Sequence, residues 1–262
     1  LVTGSNGKTT TVRLLAAMLR AHGLRTALSC TDGVFRDGEV FDSGDYSGPA
    51  GARTVLRMAD AEAAVLETAR GGILRRGLAV DHADAAIITN ISADHFGEYG
   101  IDDLDGLTAA KAVVAHALKD HGVLVLNAED AQLLRHAQGL NHTKAWFALG
   151  VPGPIIAQVL ARFGSTGLDN PGRLETWRFG GIRVIMDYAH NPDGLHGLLD
   201  IAQALRGAGR LGLMLGQAGN RGDAQIRELA TVAASFSPEL IVLKDMEGYL
   251  RGREQNEVAS LL

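Results

Sequence analysis

The chain has 262 residues, of which 46% are hydrophobic, and its formal net charge is −5. This length allows one large domain or two smaller ones, and the composition is typical of a folded globular chain. No apolar run approaches the roughly 20 residues that span a bilayer, and no basic stripe with interleaved aromatic residues is present. We therefore expect neither a membrane nor a nucleic acid as partner. Cys30 is the only cysteine, which excludes a disulfide framework and favours a reducing compartment such as the cytoplasm.

A glycine-rich turn near the start of the chain lies between a predicted strand that ends at Thr3 and a predicted helix over 11–22. Backbone N–H groups in such a turn point at one spot, and the helix N-terminus adds partial positive charge there. Lys8 adds a full positive charge, and the Thr9 hydroxyl is placed to hold Mg²⁺. The sequence therefore predicts a cradle for ATP. The predicted nucleotide contacts in this turn are Gly4, Asn6, Gly7, Lys8, Thr9 and Thr10.

This motif is shorter than the common phosphate loop. The common form, G-x-x-x-x-G-K-[ST], requires a glycine at the position that Val2 occupies. What remains is the shorter form Gly4-x-x-Gly7-Lys8-Thr9. An ordinary glycine turn before a helix is the alternative interpretation of this segment.

Strands and helices alternate along the rest of the first 170 residues. The predicted strands are 25–29, 63–67, 85–89 and 122–127, the predicted helices are 50–59 and 103–119, and a polar glycine-rich stretch covers 31–50. Such alternation favours a parallel α/β sheet, in which ligands gather at the carboxyl ends of the strands. Glu67, Asn90 and the glycine-rich turn all fall at predicted strand ends, so we expect them to meet in one site.

A segment over 164–173 is predicted to link this part to a second α/β unit. The second unit has predicted strands at 183–187, 210–215 and 239–244 and predicted helices at 192–206 and 223–235. The predicted domains are therefore residues 1–170 and 171–262. The chain begins within a strand and ends at Leu262 without an evident final element, and we expect it to be part of a longer polypeptide.

Three further motifs carry polar residues at or after strand ends. They are Ala64–Gly72 with Glu67, Thr89–Gly97 with His95, and Asp187–Pro192 preceded by Asn170–Arg173. A carboxylate at a strand end suits Mg²⁺, which prefers hard oxygen ligands. Each motif alone is weak evidence, because a lone Glu there is usually a solvated edge residue and a lone His is more often structural. Their order and spacing together are a stronger indication.

These motifs, together with Lys111, resemble the pattern of the Mur ligase superfamily, which includes the peptidoglycan amino-acid ligases and folylpolyglutamate synthase. The resemblance runs nearly end to end, and within the superfamily the chain looks most like the carboxyl-terminal ligase part of the cyanophycin synthetases. The more specific segments are 31–33, 44–49, 66–78 and 249–253. The resemblance implies a phosphate-loop, parallel-sheet ATPase domain followed by a smaller Rossmann-like α/β domain.

The resemblance also implies roles in the first domain. Lys8 would hold the β- and γ-phosphates of ATP, and Thr9 with Glu67 would hold one Mg²⁺. His95 would reach a second Mg²⁺. Lys111 stands where many relatives carry a carbamylated lysine, and this anion would help to fix the second metal. A solvated helix lysine is the alternative for Lys111.

In the second domain the resemblance implies that Arg173 and Asp187 close on the nucleotide, which Asn90 of the first domain also contacts. His190 would act beside them, although helix capping is the alternative role. The loop 219–223 also fits the family, and an exposed turn explains it nearly as well. Lys8, His95, Lys111 and His190 are therefore the candidate catalytic residues.

Two features depart from the family pattern. An asparagine-bearing helix usually precedes the linker and helps to bind adenine, but 146–148 runs almost directly into 150–152 and no such helix is recognisable. Tyr46 stands where the cyanophycin synthetase pattern has a smaller residue. The first departure leaves the adenine contacts unassigned.

The resemblance implies an ATP-dependent amide ligase, which activates a carboxylate as an acyl phosphate and joins it to an amine. It further implies an aspartate side chain of a poly-aspartate backbone as acceptor, arginine as the amine, an amino-terminal ATP-grasp domain in the same polypeptide, and a homo-oligomer. The candidate substrate contacts are Asp45, Ser47, Arg53 and Arg70. The alternatives are a ligase of the same superfamily that acts on another peptide or dipeptide, a nucleotide-binding domain without turnover, and a phosphate-loop kinase.

Overall fold

The computed structural model describes residues 1–93, 96–147, 170 and 172–262. The chain divides into two compact units, Leu1–Asn170 and Pro171–Leu262. His95, residues 164–169 and 171 of the linker predicted over 164–173, and the residues from 148 on in which the sequence shows no asparagine-bearing helix lie outside the described residues. None of the described helices combines the length and apolar character that crossing a membrane requires.

The first unit alternates strands with helices. Its elements are β1 (Val2–Thr3), α1 (Lys8–Ala21), β2 (Thr26–Cys30), β3 (Gly33–Arg36), β4 (Glu39–Ser43), α2 (Pro49–Leu56), β5 (Ala63–Leu66), α3 (Arg70–Arg76), β6 (Ala83–Ile88), α4 (Leu104–Ala112), β7 (Leu118–Asn127), α5 (Ala131–His136) and β8 (Thr143–Phe147), with 3₁₀ helices at Val113–Ala117 and Ala137–Gly139.

The described strands of this unit form two four-stranded sheets that lie side by side. One has the order β1-β6-β7-β8 and is parallel throughout, and the other has the order β4-β3-β2-β5, in which β2 and β5 are parallel. A parallel bridge between Val2 and Glu67 joins them, and Thr68 N donates to Val2 O at 2.8 Å. The carboxyl ends of β5, β1 and β6 are therefore neighbours, and the predicted α/β fold with a parallel sheet is confirmed.

Apolar side chains cover both faces of the joined sheets. On one face Val12 of α1 packs with Val2 and Leu28, and on the other Leu107 of α4 packs with Leu124 of β7. Each fully buried side chain of this size contributes about 1.5–3 kcal/mol. The polar residues that follow the carboxyl ends of β5, β1 and β6 are therefore held in fixed positions by well-packed strands.

The stretch 31–50, predicted as a polar loop, contains the antiparallel hairpin β3–β4. All five residues of β4 are exposed, so its sequence shows little apolar alternation. Asp37 and Gly38 form the turn with φ values of 50° and 93°. An Asp-Gly pair is a strong hairpin signal because both residues tolerate positive φ, and this signal was available in the sequence.

The helix predicted over 103–119 is too long. α4 ends at Ala112, a 3₁₀ helix follows, and β7 begins at Leu118. Leu118 pairs with Ala83 of β6, and such tertiary pairing overrides local helix propensity. The elements α3, α5 and β8 are also absent from the sequence prediction.

The described residues of the second unit, 172–262, form two small sheets and three helices. Its elements are β9 (Glu175–Phe179), β10 (Ile182–Met186), α6 (Pro192–Arg206), β11 (Gly212–Leu215), α7 (Asp223–Ser235), β12 (Leu240–Leu243) and α8 (Glu257–Leu261). β9 and β10 form an antiparallel hairpin, β11 and β12 pair in parallel, and Leu195, Leu199 and Leu229 form the core between α6 and α7.

The bounds predicted for α6 and α7 are confirmed. Asn191 caps α6 by accepting a bond from Gly194 N at 2.8 Å, and Pro192 occupies its first turn. These are the local signals that defined the start in the sequence. Two expectations are wrong: β9 pairs with β10 although no strand is predicted there, and α8 is a final element that the sequence interpretation lacks.

Candidate nucleotide and metal site

Two glycines shape the turn between β1 and α1 for different reasons. Gly4 has a φ of 145°, and a Cβ there would lie 1.9 Å from Thr89 Oγ1 on the loop after β6. Gly7 has a φ of 79° in the left-handed region that favours glycine, and it is the N-cap of α1. The turn therefore leads directly from a strand end into a helix N-terminus, an arrangement that favours an anion.

The loop after β6 holds this turn from one side. Ser5 N donates to Asn90 O and Asn6 N donates to Asn90 Oδ1, both at 2.9 Å. Thr89 Oγ1 donates to Asn6 O at 2.6 Å, and Ser5 Oγ donates to Ser92 O at 3.0 Å. The structure thus brings Asn90 to the turn, as expected from the strand ends. Its direct contact with a nucleotide stays a prediction.

Asp130 fixes the same loop from behind. One carboxylate oxygen, Oδ2, accepts from Ile91 N at 2.6 Å. The other oxygen, Oδ1, caps α5 by accepting from Gln132 N and Leu133 N at 2.9 and 3.1 Å. Sequence reasoning missed Asp130, although an aspartate before a short apolar helix is a recognisable cap.

Two lysines donate to carbonyl groups of the turn. Lys8 Nζ lies 2.9 Å from Ser5 O, and Lys111 Nζ lies 2.8 Å from Gly4 O. Lys111 is only 4% exposed, so the alternative of a solvated helix lysine is wrong. Carbamylation of Lys111 stays a prediction.

Glu67 is the buried carboxylate of the site, with 1% of its surface exposed. Its Oε2 accepts from Thr9 Oγ1 at 2.7 Å and from Thr31 N at 3.2 Å, and its Oε1 accepts from Thr31 Oγ1 at 3.1 Å. The alternative of a solvated edge residue is therefore wrong for Glu67. Thr31 is a partner that sequence reasoning missed.

The donor set formed by Thr9 and Glu67 fits Mg²⁺. Both supply oxygen, which a hard cation prefers, and a hydroxyl that donates its proton to Glu67 can still offer oxygen lone pairs to a metal. The described residues contain no group of three His, Cys, Asp or Glu side chains suited to a metal. Mg²⁺ does not require one, since it is usually bound by one or two carboxylates together with substrate phosphates.

Asn170 reaches the first turn of α1 from the end of the first unit. Its Nδ2 donates to Thr10 Oγ1 at 3.1 Å. Asn170 is 8% exposed, and its Oδ1 has no hydrogen-bond partner among the described residues. Asn170 itself therefore lies beside the predicted nucleotide site.

The candidate substrate contacts lie on the segments that begin α2 and α3. Asp45 Oδ1 accepts from Ser47 N and Oγ at 3.0 and 2.7 Å, and Ala69 N donates to Ser47 O at 2.8 Å. Arg70 is 7% exposed, and its Nη2 lies 2.6 Å from Glu98 Oε2. Arg53, by contrast, is exposed on α2.

The predicted residues of the second unit lie close to one another. Asp187 accepts backbone bonds from Leu174 N at 3.0 Å and Ala189 N at 2.8 Å. The Arg173 guanidinium lies 5.2 Å from the centre of the Tyr188 ring. Asn191, and not the neighbouring histidine, caps α6.

His190 is half-buried beside this group. Its Nδ1 lies 3.3 Å from Tyr188 O, and its backbone carbonyl accepts from Gln217 Nε2 at 3.0 Å. Because Asn191 performs the capping, helix capping does not explain His190. Its catalytic role stays a prediction.

Two family models match the chain. The Mur ligase middle domain matches residues 2–151, and the glutamate ligase domain of Mur ligases matches residues 172–260.

The chain belongs to the Mur ligase family.

Similar proteins extend this result. The chain is 30% identical to the cyanophycin synthetase of Synechocystis sp. over an alignment of 328 residues that covers all of this chain and 37% of the relative. It is 27% identical to the UDP-N-acetylmuramoyl-L-alanyl-D-glutamate–2,6-diaminopimelate ligase of Parabacteroides distasonis, with 93% of this chain and 60% of the relative covered. The chain thus spans little more than a third of the cyanophycin synthetases that it matches.

Solved structures share the fold. E. coli FolC in complex with ADP matches with a TM-score of 0.66 at 18% identity, covering 94% of this chain and 74% of FolC. A bifunctional folylpolyglutamate synthase/dihydrofolate synthase with Mn, AMPPNP and L-glutamate bound matches with a TM-score of 0.65 at 19% identity, covering 95% and 81%. At these identities the likeness shows the fold alone.

The Mur ligase middle domain therefore brings most of its predicted site residues together. The glycine-rich turn, Glu67, Asn90 and Lys111 meet at the carboxyl ends of β5, β1 and β6. Thr31 and Asp130 belong to the same assembly, although sequence reasoning assigned neither of them to the site.

Proposed function

We propose that this chain is the ligase part of an ATP-dependent acid–amino-acid ligase, which produces ADP and phosphate as it forms an amide. The observation that carries the proposal is the buried Glu67 carboxylate, bonded to Thr9 at the start of the same helix that Lys8 opens. A phosphate turn with an adjoining metal-binding carboxylate, in a Mur ligase fold, supports phosphoryl transfer from ATP.

The reaction begins when the acceptor carboxylate attacks the γ-phosphoryl group of ATP. Both partners are anionic, so the Lys8 ammonium offsets their repulsion and the charge that builds on the transferring group. An acyl phosphate and ADP result. The amine then attacks the acyl carbon, phosphate leaves, and the amide forms. This chemistry depends on positioning and needs no protein nucleophile.

Thr9 and Glu67 are the residues that would hold Mg²⁺. When bound, the metal would offset charge on the β- and γ-phosphates. A second metal near His95 and carbamylation of Lys111 are part of the proposal. The Nζ of Lys111 lies on the glycine-rich turn, so a modification there would lie beside the phosphates.

The substrates are proposed from the relatives. The names of the cyanophycin synthetases, with the resemblance described above, support arginine as the amine and an aspartate side chain of a poly-aspartate backbone as the acceptor. Arg70 is the best-placed cation for an acceptor carboxylate, because it is buried and its present partner Glu98 is 40% exposed. A Mur-type ligase that acts on another peptide or dipeptide is the second candidate, supported by the diaminopimelate ligase relatives.

An amino-terminal ATP-grasp domain in the same polypeptide and a homo-oligomer complete the proposal. The ATP-grasp domain is supported by the length of the relative, because the chain matches only 37% of the Synechocystis cyanophycin synthetase. Neither is needed for the phosphoryl chemistry, which the residues described above would perform.

Phosphate release from ATP and Mg²⁺ tests the proposal. We expect release that requires both an aspartate polymer and arginine, and that falls when another amino acid replaces arginine. Release with a different acceptor or amine would support the Mur-type alternative. Release independent of both would contradict a ligase, and a stable phosphorylated acceptor would indicate a kinase.

A further inference from the structure

Thr31 holds both oxygens of the proposed metal-binding carboxylate. Its backbone N–H reaches Oε2 of Glu67 at 3.2 Å and its hydroxyl reaches Oε1 at 3.1 Å. β2 and β5 are parallel neighbours with Ser29 opposite Leu66, so the residues that follow the two strands emerge side by side. The sheet register therefore places Thr31 beside Glu67.

A second contact ties the same turn to α1. Arg13 lies one helical turn after Thr9, is 8% exposed, and donates from Nε and Nη2 to Asp32 Oδ2 at 3.2 and 3.1 Å. Its guanidinium also lies 4.5 Å from the centre of the Phe35 ring. A buried, stacked guanidinium bonded to a carboxylate has a well-defined position. Helix α1 is thus joined to the turn after β2 twice, through Glu67 and through Asp32.

Gly33 completes this turn by allowing the hairpin to approach. It has a φ of 152°, and a Cβ there would lie 2.5 Å from Asp42 O. Each residue of the Thr31-Asp32-Gly33 segment therefore has a separate contact that fixes it. The segment is among those that resemble the cyanophycin synthetases, and none of the proposed catalytic steps uses it.

We propose that Thr31 is a positioning residue for the metal-binding carboxylate, and that the Arg13–Asp32 pair holds Thr31 in place. This inference rests on the proposed function, in which Thr9 and Glu67 hold Mg²⁺. A carboxylate has about four lone-pair positions, and the bonds from Thr9 and Thr31 occupy three of them. One lone pair of Oε1 remains for the metal, and the bond from the Thr31 hydroxyl sets the orientation of that oxygen. Partners that orient a metal ligand in this way typically change metal affinity about 10- to 100-fold when removed.

The test measures Mn²⁺ affinity by electron paramagnetic resonance with AMPPNP bound to the purified chain. Thr31→Val removes the hydroxyl at nearly constant volume and keeps the N–H. We expect it to weaken Mn²⁺ binding about 10- to 100-fold, and Thr31→Ser to restore most of the affinity. AMPPNP affinity in EDTA should be unchanged in both variants, because the hydroxyl acts on the metal ligand.

The matched control is Thr26→Val at the other end of β2. Thr26 is 2% exposed, and its hydroxyl donates to Leu24 O at 3.0 Å, away from Glu67. We expect Thr26→Val to lower thermal stability without changing Mn²⁺ affinity. Equal losses of Mn²⁺ affinity in Thr26→Val and Thr31→Val would show a general structural effect and would overturn the inference.

Asp32→Asn extends the test without altering the bonds to Glu67 directly. It replaces the charged partner of Arg13, and we expect a smaller loss of Mn²⁺ affinity than in Thr31→Val. If Thr31→Val is unfolded, wild-type Mn²⁺ affinity in a folded Asp32→Asn overturns the inference. Wild-type affinity in a folded Thr31→Val also overturns it and leaves the proposed function intact. If the wild-type chain itself fails to bind Mn²⁺ with AMPPNP, the proposed metal site fails and the inference fails with it.

Discussion

Two glycine-rich turns in this chain each join a strand to a helix, and their backbones are alike in one respect. Gly4 follows β1 and Gly219 follows β11, and each leaves no room for a side chain. A Cβ at Gly4 would lie 1.9 Å from Thr89 Oγ1, and one at Gly219 would lie 2.0 Å from Leu250 O. A glycine required by close packing does not by itself indicate a phosphate site.

Charge separates the two turns. α1 begins with Lys8-Thr9-Thr10-Thr11, which lacks a carboxylate, whereas α7 begins with Asp223. A carboxylate in the first turn already complements the partial positive charge of a helix N-terminus. The second helix therefore has its own anion, and the first is left to bind one from solution.

The cations of the two turns also have different partners. Lys8 contacts one turn carbonyl, Ser5 O, at 2.9 Å. Arg253 donates to Gly219 O at 2.9 Å, to Arg221 O at 2.7 Å and to Asp223 Oδ1 at 2.7 Å. The guanidinium thus serves as a structural brace. The cation beside the second turn thus supports the structure of that turn, and Asp223 already supplies an anion there.

Removing the Lys8 ammonium should give the largest effect on function. We expect Lys8→Ala to lower ATP-dependent phosphate release at least about 100-fold, because the transition-state charge loses its main protein cation. Lys119→Ala is the control, since Lys119 pairs with the exposed Asp84 at 2.6 Å. Normal turnover in Lys8→Ala would refute the phosphate-turn assignment.

Lys111 of α4 is the second cation that contacts the first turn, through Gly4 O at 2.8 Å. We expect Lys111→Ala to lower phosphate release about 10- to 100-fold, as for other residues that orient a metal site. The carbamate hypothesis predicts that added short carboxylic acids restore part of this activity. Loss of activity without any recovery would contradict carbamylation. The lost bond from Lys111 to Gly4 O would then explain the loss of activity.

The two packed glycines should behave alike in stability and differently in binding. We expect Gly4→Ala and Gly219→Ala each to reduce the free energy of unfolding by about 3 kcal/mol, from overlap with fixed neighbours. Only Gly4→Ala should also weaken AMPPNP binding at temperatures where the protein is folded. Gly197→Ala on α6 is the control, because no described atom lies within 4 Å of a Cβ there and alanine favours helix.

An equal loss of AMPPNP affinity in Gly219→Ala would break the comparison. It would show that the second turn also contributes to the nucleotide site. Denaturant unfolding followed by nucleotide titration measures both quantities on the same samples.

The sequence predicted the phosphate- and metal-binding residues of the first turn better than the residues that hold them in place. Lys8, Thr9 and Glu67 could be selected because a local motif and a strand end each carry a chemical meaning. Thr31 could not, because its contact with Glu67 depends on the β2–β5 register, which no local pattern contains. Asp130 was missed for a similar reason: its cap of α5 is local, but its bond to Ile91 N joins segments far apart in sequence.

The same distinction explains the secondary structure. α6 and α7 were predicted at their observed bounds because each has a local start signal and an apolar face. The end of α4 was wrong because pairing of Leu118 with Ala83 decides it. The β3–β4 hairpin was missed because β4 is exposed along its whole length and shows no apolar alternation, although Asp37-Gly38 marks its turn.

Removing the Asn90 side chain, which holds the first turn, should have an intermediate effect on nucleotide affinity. Asn90→Ala removes the side-chain acceptor of Asn6 N, and the net value of such a bond is about 1 kcal/mol. We therefore expect AMPPNP affinity to fall about fivefold. Asn127→Ala is the control, since its side chain accepts from the nearby Glu129 N at 2.9 Å in the turn after β7. Unchanged affinity in Asn90→Ala would mean that the turn keeps its shape without this neighbour.

Replacing Arg253, which holds the second turn, should have the smallest effect. This effect is on the free energy of unfolding, and it depends on pH. The bond from Arg253 lowers the pKa of Asp223 below its ordinary value. The backbone N–H of Glu254, and then Arg253, lower the pKa of Glu257. A carboxylate with a lowered pKa in the folded state stabilises the fold above its ordinary pKa, and this contribution is lost as the pH falls through the lowered value.

Arg253→Gln should therefore be less stable than the wild type at neutral pH, and the difference should narrow below about pH 4, the ordinary range for carboxylates. Urea unfolding at about pH 7 and about pH 3 measures the change. Arg227→Gln is the control, because Arg227 is 61% exposed and its Nη2 lies 3.9 Å from Asp223 Oδ2, which is too far for a hydrogen bond. A difference that stays constant with pH would show that Arg253 stabilises the turn through its bonds to the carbonyl groups of Gly219 and Arg221, and that its charge contributes little. In that case the charge of Asp223 would have little part in the stability of the second turn.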